Sequence, residues 1–232
     1  MSHGRGLYND FAVPADPTAA ELLQLSLRRL VEPAAAAPVA PKTVAGLDVS
    51  YAVGSDHLVA AAIVIEVATL AVVDQASVRG VAAFPYVPGL LGFREVPFLL
   101  AALAKLRVTP ETLVCDGYGV AHPRRFGLAC HVGVVTGLPS FGVAKTPFTA
   151  TFSPPGPDRG DWSELRDGDE VLGRVLRTRR DVKPVFVSVG HRIGLDESCS
   201  LTLALTPRYR LPETTRLADY LSRKVLSAEG AG

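Results

Sequence analysis

The chain of 232 residues predicts an α/β protein: one mixed sheet, three antiparallel strands then parallel strands, flanked by helices and extended by further C-terminal strands and helices. Three observations predict it. Residues 42–78 hold three apolar runs rich in β-branched residues and separated by short turns, the pattern of an antiparallel meander. Two unbroken apolar runs follow, ETLVCD at 111–116 and PSFGVAK at 139–145, each preceded by a segment of helical character. Wholly apolar strands alternating with helices belong to parallel strands covered on both faces.

The elements follow in order. Pro17 to Glu32 has helical periodicity and opens on proline. EPAAAAPVAP at 32–41 reads as an Ala/Pro connector. KTVAGLDVSYAV (42–53), DHLVAAAIVIEV (56–67) and LAVVDQASV (70–78) are the meander. FPYVPGLLGFRE at 84–95 is a knuckle: two prolines around an aromatic, a glycine, then an apolar run ending in Arg94-Glu95. EVPFLLAALAKL (95–106) is a helix opened by Glu95, with Phe98, Leu99, Ala102 and Leu106 on one face. RRFGLACHVGVVTG (124–137) is a second helix despite its glycines, and Thr149 to Asp161 is loose and proline-rich. EVLGRVLRT (170–178) and KPVFVSVGHRI (183–193) form a strand pair; DESCSLTLAL (196–205) and PETTRLADYLSRKVL (212–226) are the last helices. The organisation expected is an N-terminal helix and connector (1–41) packed on one main domain (42–227), with a flexible tail at 228–232.

Composition narrows the class. Apolar residues make up 48% and charged residues 20%, which suits a globular chain rather than a disordered one. The net charge of +1 offers no overall basic field, so any nucleic-acid binding rests on a local patch. Arg124, Arg125 and the cluster Arg177, Arg179, Arg180 and Lys183 are the candidates to track phosphates. Cys115, Cys130 and Cys199 are odd in number and form no CxxC pair, so buried thiols in a reducing compartment are expected. The N-terminus has no apolar signal core, and no run approaches the ~20 residues needed to cross a bilayer. The expectation is a cytoplasmic protein with no membrane partner.

The acids carry the chemistry. Asp48 lies inside the first strand among apolar residues, where an unpaired charge is expensive. Asp116 closes the fourth strand and Glu95 opens the helix after the knuckle. If the first and fourth strands are neighbours, Asp48 and Asp116 sit side by side. Converging carboxylates repel one another, and a divalent cation relieves that repulsion. Two ions ~3.5–4 Å apart can stabilise both the attacking and the leaving oxygen of a phosphoryl displacement. The plainer alternative keeps Asp48 capped by backbone amides and Asp116 capping the next turn. DGYG at 116–119 lacks the Lys-Ser/Thr of a phosphate-binding loop, which excludes a nucleoside-triphosphatase.

AGLDVSYA at 45–52, FPYVPGLLGFRE at 84–95, DGYGVAHPRRFGLACHVG at 116–133, PSFGVAK at 139–145 and RLPETTRLAD at 210–219 occur in the order found in one family. On these motifs the chain resembles the endonuclease V family, whose fold is ribonuclease H-like. The resemblance implies a metal-dependent endonuclease of DNA repair that recognises deoxyinosine, the product of adenine deamination. It hydrolyses the second phosphodiester bond 3′ to the lesion, leaving 3′-hydroxyl and 5′-phosphate. An inosine-specific endoribonuclease acting on RNA is the alternative, and a non-catalytic binder of distorted nucleic acid is a further one.

The same resemblance implies Mg²⁺, with Mn²⁺ as a substitute, held by Asp48, Glu95 and Asp116, and a monomer as the working unit. It adds Lys145 and His122 near the scissile phosphate, where donors stabilise developing charge. Asp219 falls where a family acid or histidine joins the site, although Arg216 and Arg223 at helical spacing also suit an exposed ion-pair ladder. Tyr86 matches a wedge that parts the strands, with Pro85 and Pro88 stiffening its loop; a packed turn anchored by Tyr86 is the alternative. Gly89 and its neighbours, Leu91 among them, with Gly117 and Gly119, match backbone lining a base pocket, and Arg124 a nucleic-acid contact. His131 reads as a structural histidine within an apolar helix, and His191 as a histidine able to touch nucleic acid from outside the site.

Overall fold

The structure, a computed structural model, describes residues 13–32, 34 and 40–228. Most of the expected connector and of the expected tail lies outside them. Helix α1 (Pro17–Arg28) starts where Asp16 Oδ1 accepts the Ala19 N–H at 2.8 Å, with proline in its first turn. The meander is present as β1 (Thr43–Tyr51), β2 (His57–Glu66) and β3 (Val72–Val81), paired antiparallel in sequence. Strands β4 (Thr112–Asp116) and β5 (Ser140–Ala144) then add parallel to β1 and to each other.

Beyond β5 the sheet turns antiparallel through β9 (Val185–His191), β8 (Glu170–Leu176), β7 (Trp162–Asp167) and β6 (Thr151–Phe152). The result is one nine-stranded sheet in the order β3-β2-β1-β4-β5-β9-β8-β7-β6. Its first five strands have the arrangement expected of a ribonuclease H-like sheet. Strands β6 and β7 escape the sequence reading because most of their residues face solvent and only Leu165 of β7 is buried, so no apolar alternation marks them.

Helices cover both faces. Helices α2 (Leu91–Ala104) and α3 (Leu128–Thr136) pack on Ala45, Leu47, Leu113 and Cys115, one set of alternating residues of β1 and β4. Helix α4 (Leu195–Ala204) covers Val114, Val143 and Val187, and Ala218 of α5 (Glu213–Ser227) covers Ala61, Ile63 and Ile65. This double cover explains why antiparallel β2 is apolar throughout. Cys115, Cys130 and Cys199 are free and buried, as expected.

Two helix starts differ from expectation. Helix α2 begins at Leu91 rather than Glu95 and carries Pro97 inside it, because Phe93, Arg94, Glu95 and Val96 bury its first turns. Glu95 therefore sits in the second turn instead of at the opening. Helix α3 begins at Leu128 rather than Arg124; Arg125 adopts a left-handed φ of 56° and its N–H bonds to His122 O, closing a tight turn before the helix. No helix among the described residues is long and apolar enough to cross a membrane.

Candidate active site

Strands β1 and β4 pair with Leu47 opposite Cys115, so the next rung carries Asp48, inside β1, beside Asp116 at the C-terminal end of β4. The groove beyond those ends is lined by Asp48, Tyr51, Glu95, Asp116, Lys145, Asp219 and Arg223. Asp48 alternates toward α5, where Ser222 Oγ donates to its Oδ2 at 3.1 Å. Helix α5 comes this close because Gly46 has no side chain: a Cβ there would stand 2.2 Å from the Thr214 carbonyl carbon. Glu95 enters from the opposite face on α2, and Tyr51 OH donates to its Oε1 at 3.3 Å.

These acids feel one another. Burial, then the charges of Asp116 and Asp219, raises Asp48 to about 6. Burial, then the charge of Asp48, raises Glu95 to about 8. Lys145 Nζ donates to Asp116 Oδ2 at 2.5 Å. Asp219 accepts from Arg223 Nε at 2.7 Å, one rung of the expected ion-pair ladder, while Arg216 pairs with Glu213 instead. Asp219 is thus both an ion-pair partner and a wall of the groove.

Hard carboxylate oxygens converging under mutual repulsion are the donor chemistry of Mg²⁺ and Mn²⁺. Asp48, Glu95 and Asp116 fit such an ion in type, and all three line one groove. As they stand, no three His, Cys, Asp or Glu side chains among the described residues are close enough to hold one.

A second cavity, about 290 Å³, opens beside the groove and shares Leu91, Asp116 and Leu128 with it. Its remaining walls include Tyr86, Pro88, Gly89, Gly117, Tyr118, His122, Phe126, His131 and Phe148. Aromatic rings dominate it: Phe148 stands 5.4 Å from both Tyr118 and His122, and His131 is 5.3 Å from Phe126. The knuckle forms one rim. Phe84, not Tyr86, is its anchor, buried against Ala20, Leu90 and Phe93. Arg94 Nη1 donates to Phe84 O at 2.7 Å and Nη2 to Asp56 Oδ1 at 2.6 Å, so the charge ending the motif straps the knuckle to the β1–β2 turn. Tyr86 stands at the tip, 70% exposed.

Several candidates sit elsewhere than expected. His122 lines the pocket rather than the acid groove; burial, then the Arg124 charge, lowers it to about 4, so it is a neutral ring and not a cation for phosphate. Its Nδ1 accepts the Arg124 N–H at 3.2 Å. Gly117 lines the pocket with φ 144° and open space where a Cβ would be, whereas a Cβ on Gly119 would meet Val189 O at 1.9 Å. Gly119 is glycine to let β9 approach. Pro85 is exposed on the rim and Pro88 lines the cavity. His191 is buried and its Nδ1 accepts the Glu32 N–H at 3.1 Å, so it holds the chain after α1. His131 is buried, as expected, but also lines the pocket.

Four of the six basic residues expected to track phosphates have partners within the chain. Arg124 bonds Gln24, Glu21 and Gly89 O. Arg125 pairs with Asp167 and Glu170, Arg177 ties the carbonyls of Pro155, Gly156 and Val182, and Arg180 pairs with Asp158 and Asp181. Sequence reasoning missed Gln24, Tyr51, Tyr118, Phe126 and Phe148. Gln24 left one signal, a polar residue inside the stripe of Ala20, Leu23 and Leu27.

Acids crowded beside the end of β4 are suited to metal-assisted hydrolysis, and the aromatic pocket opening from them suits a planar substrate, the two features that a nuclease acting at a base combines. Known proteins place the chain within that class. It belongs to the Endonuclease V family, whose model matches residues 26–220. Endonuclease V of Streptomyces avermitilis is 55% identical over 214 residues, covering 92% of this chain and 93% of the relative. The crystal structure of that species' Endonuclease V has a TM-score of 0.89 at 54% identity, covering 94% of this chain and 96% of that one. Endonuclease V of Ciona intestinalis, solved in complex with a 24mer DNA containing an inosine followed by a ribo-adenosine, has a TM-score of 0.78 at 28% identity and covers 92% of this chain and 99% of that one.

Proposed function

We propose that the protein is a metal-dependent endonuclease that takes an extruded hypoxanthine base into the aromatic pocket and hydrolyses the second phosphodiester 3′ to it, leaving 3′-hydroxyl and 5′-phosphate. The observation that carries this reading is the wall common to pocket and groove, Leu91, Asp116 and Leu128. A base held on one side leaves the strand running across the acids on the other. The Ciona complex with inosine-containing DNA supports inosine as the lesion.

Each group then has a task. Tyr86, mounted on a knuckle fixed by Phe84 and Arg94, fills the gap left by the extruded base. A base with weakened pairing is easier to extrude, which already favours inosine over a paired adenine. Tyr118, Phe126 and Phe148 stack on or edge the base, and the neutral ring of His122 completes the wall. Mg²⁺, when held by Asp48, Glu95 and Asp116, supplies charge for the scissile phosphate and a water of lowered pKa. Lys145, beside Asp116 in the groove, offers its ammonium to the phosphate. Asp48 and Glu95 must give up their protons to act as ligands or to take one from water.

The test is an end-labelled strand carrying one inosine, against the same strand with adenine, as DNA and as RNA, with and without Mg²⁺. Selective, Mg²⁺-dependent cutting that Asp48→Ala abolishes is expected. Equal cutting of inosine and adenine strands sinks the reading, as does full activity of the variant. Faster cutting of the RNA strand moves the substrate from DNA repair to RNA, and inosine-selective binding without cleavage under any metal makes the protein a binder.

A further inference from the structure

We propose that Gln24 of α1 is a positioning residue for base selection: it occupies the Gly89 carbonyl in the pocket wall with a donor and so denies adenine an acceptor. This rests on the functional reading above and extends it to a helix that sequence analysis treated as a packed appendage.

Gln24 is an uncharged polar side chain only 4% exposed, on the stripe of α1 that packs on the knuckle. A buried amide is tolerated when its hydrogen bonds are made, and here they all run to the pocket wall. Nε2 donates to Gly89 O at 3.0 Å and to Phe126 O at 2.7 Å, and Oε1 accepts from Arg124 Nε. Arg124 Nη2 donates to the same Gly89 oxygen at 3.0 Å. The other end of that peptide is fixed as well, since Leu90 N–H donates to Val87 O at 2.9 Å. One side chain thus ties α1 to the knuckle and to the turn before α3, the two segments that wall the pocket.

Gly89 needs such a tie. Its φ of 83° lies where glycine alone is comfortable, and a residue without a Cβ can turn its peptide with little steric penalty. Hypoxanthine and adenine differ at position 6, a carbonyl acceptor against an amino donor. A Gly89 carbonyl freed of these donors would accept from the adenine amino group and repel the hypoxanthine carbonyl. Two donors on that oxygen, from Gln24 and Arg124, occupy its lone pairs, so the clamp acts by exclusion.

The test compares Gln24→Leu and Gln24→Glu with the wild type. Glu keeps the volume and still accepts from Arg124, but it cannot donate to Gly89 or Phe126. For both variants the inosine-to-adenine cleavage ratio is expected to fall at least tenfold, with KM for the inosine strand rising more than kcat falls. Without substrate, hydrogen exchange of amides in 87–91 and 126–128 is expected to quicken in both variants while exchange in β1 and β4 does not. Unchanged selectivity with activity falling only in step with the folded fraction overturns the proposal, as does a Gln24→Glu protein that selects like the wild type. If Gln24→Leu does not fold, Gln24→Glu and Arg124→Lys, which also loses the donor to Gly89, carry the same readouts. A wild type that cuts both strands alike instead removes the functional reading, and the exchange data still decide whether the clamp exists.

Discussion

Replacing Asp48 by asparagine should make the metal-free protein more stable while abolishing its activity. Asp48 is largely buried beside Asp116 and Asp219, and its carboxyl is raised from 3.8 to about 6. The sign follows: a raised carboxyl holds its proton more tightly folded than unfolded, so its contribution is fully present below about pH 4 and lost as pH rises through about 6. At pH 7.5 the ionised group costs the fold about 3 kcal/mol, from a shift of about two units at ~1.4 kcal/mol each. Asparagine removes that charge, and its carbonyl can still accept from Ser222 Oγ, now 3.1 Å from Oδ2. For a chain of this size the gain is on the order of 6–12 °C in Tm. Thermal unfolding in a chelator should show that gain at pH 7.5 and only about a third of it at pH 4.5. Mg²⁺ should raise the Tm of the wild type but not of the variant. A variant no more stable than wild type at pH 7.5, or equally stabilised at both pH values, would refute the view of these acids as a mutually repelling, desolvated set.

Three further outcomes follow from the geometry. Because Asp48 and Glu95 sit at about 6 and about 8, apparent Mg²⁺ affinity by titration calorimetry should rise from pH 6 to 8.5, as bound protons are released; a flat profile contradicts the assignment. Phe84→Ala should cost about 3–5 kcal/mol in denaturant unfolding, since Phe84 is the buried anchor of the knuckle; Tyr86→Ala, at an exposed tip, should stay within ~0.5 kcal/mol yet lose cleavage of inosine strands. Gly119→Ala should destabilise by about 1–3 kcal/mol or more, because its Cβ would stand 1.9 Å from Val189 O; wild-type stability there would mean that Gly119 serves the pocket instead.

The meander, the two parallel strands and the pairing of Asp48 with Asp116 were legible because each is written in local pattern: apolar alternation, short apolar runs and an acid at a strand end. Strands β6 and β7 were not, since a sheet edge facing solvent carries no such pattern. The knuckle's prolines and aromatic were legible as a rigid turn, but which aromatic anchors it depends on Ala20 and Phe93, more than sixty residues before it and nine after. Arg124 reads in sequence as a free charge on a basic run; only the fold brings Gln24, Glu21 and Gly89 to it. Gln24 itself is the clearest limit, because an amide in a helix stripe says nothing of a loop 65 residues away.

The claim that one wall joins base recognition to cutting is tested most directly by mapping the cut at nucleotide resolution. On duplex DNA with a single inosine and Mg²⁺, the account predicts one product, ended by a 3′-hydroxyl at the second phosphodiester 3′ to the inosine. That position should stay fixed as the flanking sequence changes. Cuts scattered along the strand, or a site that follows flanking sequence rather than the inosine, would contradict it.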